Sequence, residues 1–306
     1  MRIVVTGGRG FVGRAVLPLL LEQGHHVMAT TSRTAPDDGS GIEWLPVDLL
    51  DEDSIKAVMH RARPDALLHL AWYTEHGRFW AAPENFEWAL ASIRLLHAFR
   101  AAGGRRVLMG GTCAEYDWSS GMCIEDQSPL VPHSIYGKAK DLTRHYAQSY
   151  CQRPEGADLE FLWGRIFFPY GPGEPEGRLF PSVIRALQHD EAVKCSHGQQ
   201  MRDFIHVDDV ASALVYLLTT QAPHGEAGIY NIASGQAQRL ARVIEELASY
   251  FPHHQPIEFG AIAVPADDPP VIVGNIEKLS RLGWQPSVQI HEGIHRYVDH
   301  FLRSKG

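Results

Sequence analysis

Cysteine is scarce in this chain, and its four copies, Cys113, Cys123, Cys151 and Cys195, form no C-x-x-C pair. In a chain of this size they read as reduced, cytosolic thiols rather than a disulfide framework. No apolar run approaches the ~18 residues of a membrane span. Long basic runs are missing too. With a net charge of −8, neither nucleic acid nor an anionic membrane is an expected partner. Histidine is not rare, but His25, His26, His253 and His254 have no ligand spacing, so they read as loop or surface residues and no metal is expected. Internal repeats and low-complexity segments are absent. The stretch MRIVVTGGRG begins as a buried strand rather than a charged leader with an apolar core, and the expectation is a cytoplasmic protein.

What is present is an ordinary globular composition, 44% apolar and 21% charged over 306 residues, enough for one large or two moderate domains with a real core. Short apolar runs alternate with amphipathic ones. Strands are expected at Arg2–Thr6, His26–Thr31, Ile42–Val47, Ala66–Leu70, Arg106–Met109 and Glu160–Arg165. Helices are expected near Phe11–Gln23, Asp53–Arg63, Glu84–Ala102 and Tyr136–Cys151. Such alternation predicts an α/β fold with a Rossmann-type, doubly wound parallel sheet. From Phe168 the chain is broken by PYGPGEPEG, too rich in Gly and Pro for a core element. Helices follow at Pro181–His189 and Val207–Thr220. The organisation expected is a dinucleotide half over residues 1–166, to which 205–235 return, and a smaller interleaved substrate half over 167–306.

The first strand runs into Thr6-Gly7-Gly8-Arg9-Gly10-Phe11-Val12-Gly13. Gly7, Gly10 and Gly13 permit a tight turn, close approach of backbone to a pyrophosphate, and close helix–strand packing. The helix N-terminus opening at Phe11 and Val12 then faces the phosphates with unpaired N–H groups. The second strand ends VMATTSR, placing Thr31, Ser32 and Arg33 where an acid would hold a ribose 2′-hydroxyl. A carboxylate repels a 2′-phosphate, whereas Ser32 and Arg33 can bind one. NADP is therefore favoured over NAD, with a solvated Arg33 as the plain alternative.

In Ser134-Ile135-Tyr136-Gly137-Lys138-Ala139-Lys140, Tyr136 and Lys140 are four apart and share a helix face. A nearby ammonium favours the phenolate of a tyrosine that otherwise titrates near ~10.

Together with VDLLD (Asp48, Leu49), LHLAW (His69 to Trp72), GRIFFPYGPG and Arg202-Asp203-Phe204-Ile205-His206-Val207-Asp208-Asp209-Val210, these motifs resemble the extended short-chain dehydrogenase/reductase family. The likeness is to its nucleotide-sugar epimerases, dehydratases and ketoreductases, and it covers nearly the whole chain. The resemblance implies a catalytic trio of Thr112, Tyr136 and Lys140, with Thr112 four residues before Tyr116 in GGTCAEYDW. It implies cofactor contacts at Asp48, Leu49, Leu70 and Ala71, and an Arg202 guanidinium set against the substrate diphosphate, with His206 as a helper. Arg178 and Lys194 are secondary phosphate candidates. Asp208 and Asp209 read as acids at a helix N-terminus. A homodimer joined through the helices Glu84–Ala102 and Tyr136–Cys151 is implied as well.

The chain departs from the family in places. Dehydratases carry Asp-Glu directly after the catalytic threonine; here Cys113 and Ala114 stand there, which argues against a 4,6-dehydratase. Glu115, one step along, either faces the site or caps a turn. Trp72 and Tyr73 either shape the sugar pocket or pack beneath the loop. Trp88 stands where many members have an asparagine near the nicotinamide. The leading expectation is NADPH-dependent reduction of a nucleoside-diphosphate 4-keto-6-deoxyhexose. An epimerase with tightly held NAD is the alternative, and a non-catalytic dinucleotide sensor or a reductase of a non-nucleotide carbonyl compound are further ones.

Overall fold

The structure, a computed structural model, describes residues 1–36, 39–220, 228–253, 255–265 and 268–303; His254 lies outside them. The chain divides into two compact units: residues 1–117, 129–166 and 211–230 in the first, and 118–128, 167–210 and 231–306 in the second. Against the expected boundaries, 118–128 joins the second unit, and the returning segment is 211–230.

The first unit is built on five labelled strands, β1 (Arg2–Thr6), β2 (His26–Thr31), β3 (Glu43–Pro46), β4 (Ala66–His69) and β5 (Arg106–Thr112). The strands Glu160–Ile166 and Gly228–Ile232 extend the sheet beyond β5, in the order Gly228–Ile232, Glu160–Ile166, β5, β4, β1, β2, β3. β1 pairs in parallel with both β2 and β4, and β5 pairs in parallel with β4 and Glu160–Ile166. A parallel strand covered on both faces reads as a continuous apolar run, and Ile3, Val4 and Val5 are fully buried.

Helices α1 (Phe11–Glu22), α2 (Glu52–Ala62), α3 (Glu84–Ala101) and α4 (Ile135–Cys151) flank this sheet. α2 begins where Asp51 accepts hydrogen bonds from the backbone of Asp53 and Ser54, an N-cap contributing about 1 kcal/mol. α4 begins at Ser134, whose hydroxyl accepts from Gly137 N–H at 3.0 Å. That cap fixes where Tyr136 falls, in the first turn.

In the second unit, α5 (Leu179–Gln188), α7 (Leu240–Ser249) and α9 (Ile290–Arg303) pack their apolar faces together. α6 (Val207–Thr219) begins in this unit and ends in the first, and the short α8 spans Glu277–Arg281. Tyr170 stacks on Phe180 at 4.6 Å, and Phe180 in turn on Tyr297 at 6.0 Å. A four-stranded sheet of Gln238–Arg239, Met201–Arg202, Val271–Gly274 and Met122–Cys123 completes it. Among the described residues, no helix is long and apolar enough to cross a membrane, and no cluster of His, Cys, Asp and Glu could hold a metal ion.

Candidate active site

Thr6, the last residue of β1, is in register with His69 at the end of β4. Its hydroxyl oxygen accepts from the backbone N–H of Leu70 and Ala71, so its proton is directed to His69 Nδ1, 2.6 Å away. His69 Nε2 then carries the ring proton and donates to Ser92 Oγ at 2.8 Å, and Ser92 donates on to the Trp88 carbonyl. Burial and then the Lys140 charge push the His69 pKa down to about 3. This histidine is a neutral strut between two strands and α3, not an acid or base.

The glycine loop turns on Gly7, whose φ is +72°. A side-chain carbon there would lie 2.8 Å from Ala71 N, and one on Gly13 would fall on the Gly7 carbonyl. The loop thus lies flat on Leu70 and Ala71. α1 starts at Gly10 with no side-chain cap and no acid in its first turn. The first N–H groups at Phe11 and Val12 are therefore left for an anion, as a pyrophosphate requires. These residues fit a dinucleotide.

At the end of β2, Ser32 and Arg33 are exposed, and the Arg33 backbone N–H donates to Thr31 Oγ1 at 3.1 Å. Arg9, in the glycine loop, reaches across to the Thr34 carbonyl at 3.2 Å and lies over the Trp44 ring at 6.0 Å. Arg9 was not among the sequence candidates. The available signal was a cation among the loop glycines, but only the fold brings it beside β2. Asp48 is exposed and accepts from the Leu50 N–H, while Leu49 is buried in the core behind it.

The three expected catalytic residues lie within the first unit. Thr112 ends β5, where its hydroxyl oxygen accepts from Ala114 N–H at 3.2 Å, leaving its proton to donate. Gly137, beside Tyr136, abuts the Ala114 carbonyl so closely that a side chain would collide with it. This seats the start of α4 against the turn that follows Thr112. The Lys140 Nζ donates to the Gly110 carbonyl of β5 at 2.7 Å and lies 3.7 Å from the centroid of the Trp72 ring. Tyr136 meets that same indole edge-on, with ring centroids 6.4 Å apart. Phe79 and Trp80 flank Tyr136 at 5.1 and 5.8 Å. Burial lowers the Lys140 pKa to about 7, against the opposing pull of Glu115.

Glu115, Trp72 and Tyr73 each had two readings from the sequence, and their partners in the structure bear on both. Glu115 is wholly buried. Its oxygens accept from Thr112 N–H at 2.8 Å, Trp163 Nε1 at 3.0 Å and Arg165 Nε at 2.8 Å, in keeping with the turn-capping reading. Trp72 is 9% exposed and donates its indole N–H to Asn85 at 2.8 Å. Its ring packs against the Lys140 ammonium. Tyr73 is half-buried and donates to Glu75 at 2.7 Å. Trp88 packs in the same aromatic cluster as Trp72 and Tyr136.

In the second unit, Arg202 is buried against the Phe168 ring, with its Nη2 2.6 Å from Asp268 Oδ1. Arg178 is the N-cap of α5, 3.9 Å from Glu174. Lys194 is exposed on the strand Val193–Cys195, in register with Glu258. The three cations therefore stand on separate elements. The acids of the Arg202 motif are mostly structural. Asp203 accepts from Ser234, Gly235 and Gly274. Asp209, expected only at a helix N-terminus, also ties down Ser287 and Val288. His206 pairs with Asp208 at 3.3 Å.

A glycine turn at the head of a parallel α/β sheet, an uncapped helix, and a tyrosine and lysine one turn apart define a dinucleotide-dependent oxidoreductase fold. Residues 3–233 match the model of the NAD dependent epimerase/dehydratase family, and the chain belongs to that family, enzymes of the extended short-chain dehydrogenase/reductase type. The chain is similar to the UDP-glucose 4-epimerase of Corynebacterium glutamicum, 28% identical over 94% of this chain and 91% of the relative. It is also similar to the CDP-abequose synthase of Salmonella typhimurium, 27% identical over 95% of each. Among solved structures, the Thermus thermophilus UDP-glucose 4-epimerase in complex with NAD superposes with a TM-score of 0.81, at 25% identity, covering 99% of both chains.

Proposed function

We propose that this protein reduces the 4-keto group of a nucleoside-diphosphate 4-keto-6-deoxyhexose with NADPH. The observation that carries the reading is the end of β2. Ser32 and Arg33 stand there instead of a carboxylate, and Arg9 leans in from the glycine loop. Two guanidiniums suit a 2′-phosphate, which they bind through charge-assisted hydrogen bonds, and the phosphorylated cofactor suits net reduction. The likeness to CDP-abequose synthase is in keeping with this reading. Cys113 and Ala114, in place of an acid pair, argue against elimination of water.

Reduced nicotinamide supplies hydride to the carbonyl carbon when bound. The rest is done by side chains of this chain. The Thr112 hydroxyl donates to the sugar oxygen and orients it. Tyr136 delivers a proton to that oxygen as negative charge develops. Lys140, held by Gly110 and Trp72, stabilises the phenolate that remains. Arg202 takes the substrate diphosphate by exchanging its Asp268 partner for phosphate oxygens.

A second reading, a nucleotide-sugar 4-epimerase with bound NAD, is favoured by the likeness to four UDP-glucose 4-epimerases at 26–28% identity. Incubating the protein with NADPH or NADH and a panel of dTDP-, GDP-, CDP- and UDP-linked sugars and 4-keto-6-deoxysugars separates the two. Loss of NADPH matched mole for mole by a reduced sugar supports the reductase. Inversion at one sugar carbon with no cofactor consumed supports the epimerase.

A further inference from the structure

Glu115 has no step in the proposed reaction, yet it is the most heavily engaged carboxylate next to the reacting groups. It stands three residues after Thr112 and forms a reciprocal capping box with it, accepting the Thr112 N–H while the Thr112 hydroxyl accepts from the turn. Trp163 and Arg165, on the neighbouring strand Glu160–Ile166, donate to it as well. Arg165 is itself pinned, donating to the Tyr116 hydroxyl at 2.9 Å and lying 4.4 Å from that ring. The fourth neighbour is Arg144, whose Nε is 3.8 Å from Glu115 Oε2.

Arg144 is on α4. Tyr136, Lys140 and Arg144 recur every fourth residue and so form one stripe along the helix. Arg144 is 3% exposed and is oriented further by Asp141 at 2.7 Å and Gln148 at 3.0 Å. Hence a single buried carboxylate grips the threonine end of β5 and, through Arg144, the helix that carries the tyrosine and lysine. A full negative charge among two guanidiniums and an indole N–H is a costly arrangement unless every lone pair is used. It also specifies geometry in a way that an apolar residue at the same place could not.

We infer that Glu115 is the positioning residue of this active site, tying the backbone of Thr112 to α4 through Arg144 and so holding in place the helix that carries Tyr136 and Lys140. This rests on the catalytic roles given above to Thr112, Tyr136 and Lys140. The groups acting on the Lys140 charge are Glu115 from the turn after β5 and His69 from β4, the latter neutral above about pH 3. Glu115 therefore supplies the attraction that opposes the effect of burial on the Lys140 ammonium.

The test pairs a kinetic readout with one that needs no substrate. The chain has six lysines, so lysine labelled with carbon-13 at the ε position gives few signals, and the Lys140→Met variant identifies that of Lys140. Glu115→Gln keeps the volume and one acceptor but removes the charge. It is expected to move the Lys140 titration to lower pH by ~0.5 unit or more. On the reaction that the sugar panel identifies, kcat should fall about 10- to 100-fold with the cofactor KM changed less than about 3-fold. Glu115→Asp, which keeps the charge, should return the Lys140 midpoint toward that of the parent. Arg144→Gln leaves the Glu115–Arg165 pair intact and should lower kcat in the same way, which decides the matter if Glu115→Gln does not fold. An unmoved Lys140 midpoint in Glu115→Gln, or an unchanged kcat in Arg144→Gln, overturns the inference. Because the titration is read without substrate, a failure of the proposed reaction leaves it standing as a separate result.

Discussion

The ammonium of Lys140 lies 3.7 Å from the centroid of the Trp72 ring, and Tyr136 meets the same ring from the side. One indole thus backs both residues of the proposed proton-transfer pair. A desolvated cation over an aromatic face gains ~2 kcal/mol or more. Replacing Trp72 by leucine should therefore lower kcat/KM by about 10- to 30-fold. Steady-state kinetics of the purified variant check this, with near-native thermal unfolding as the control.

Lys140 also makes stability depend on pH. Its pKa falls from 10.5 to about 7 on folding, so the unfolded chain binds more protons than the folded one between those values, and this group's contribution to stability rises with pH there. Lys140→Met has no such dependence. Its stability relative to the parent should be greatest at and below about pH 7 and should decline toward pH 10. Urea titrations of both proteins at pH 6.5 and 9 measure the difference, and a gap that is constant with pH would contradict the burial of a charged lysine.

His69 should behave as a neutral residue throughout the working range. Its proton sits on Nε2, facing Ser92, while Nδ1 accepts from Thr6. Nitrogen-15 imidazole spectra should show that tautomer and no titration between pH 5 and 9. Because the folded pKa is depressed to about 3, the contribution of His69 to stability is full above pH 6.5 and is lost as pH falls toward 3.

The proposed preference for NADPH rests on Arg33, just after β2, and Arg9, in the glycine loop. Arg33→Ala and Arg9→Ala should each raise the KM for NADPH about 10-fold, from loss of charge-assisted hydrogen bonds, and leave that for NADH within about 2-fold. Equal effects on both cofactors would place these residues outside the 2′-phosphate site.

Arg202 is tested by a conservative change. Arg202→Lys keeps the charge but loses the planar fork that binds Asp268, and should weaken binding of a nucleoside diphosphate about 10- to 100-fold. Calorimetry with UDP, dTDP, CDP and GDP reads this directly and names the preferred base at the same time.

Much of this molecule was legible in its sequence because the signals are local. The run Ile3-Val4-Val5, the glycine turn and the four-residue spacing of Tyr136 and Lys140 each depend on neighbours in the chain. The parallel sheet followed from the alternation of such runs. Sequence left Glu115 and Trp72 each with two readings, because their surroundings depend on distant partners: Arg165 and Arg144 for one, Lys140 and Asn85 for the other. Nothing near Glu115 in sequence announces two arginines 29 and 50 residues away. Arg9 was overlooked for the same reason, since its neighbours over Trp44 and at Thr34 belong to β3 and to the segment after β2.

Hydride passing from a phosphorylated cofactor to a sugar carbonyl is the central step of the proposed reaction, and deuterium shows it most directly. The protein would be given NADPH deuterated at the nicotinamide C4 on the transferring face, together with the 4-keto-6-deoxysugar nucleotide that the panel selects. The account predicts one deuterium at C4 of the sugar for every NADPH oxidised, and loss of the reaction in Tyr136→Phe. A sugar inverted at C4 with no deuterium gained and no NADPH consumed would contradict it.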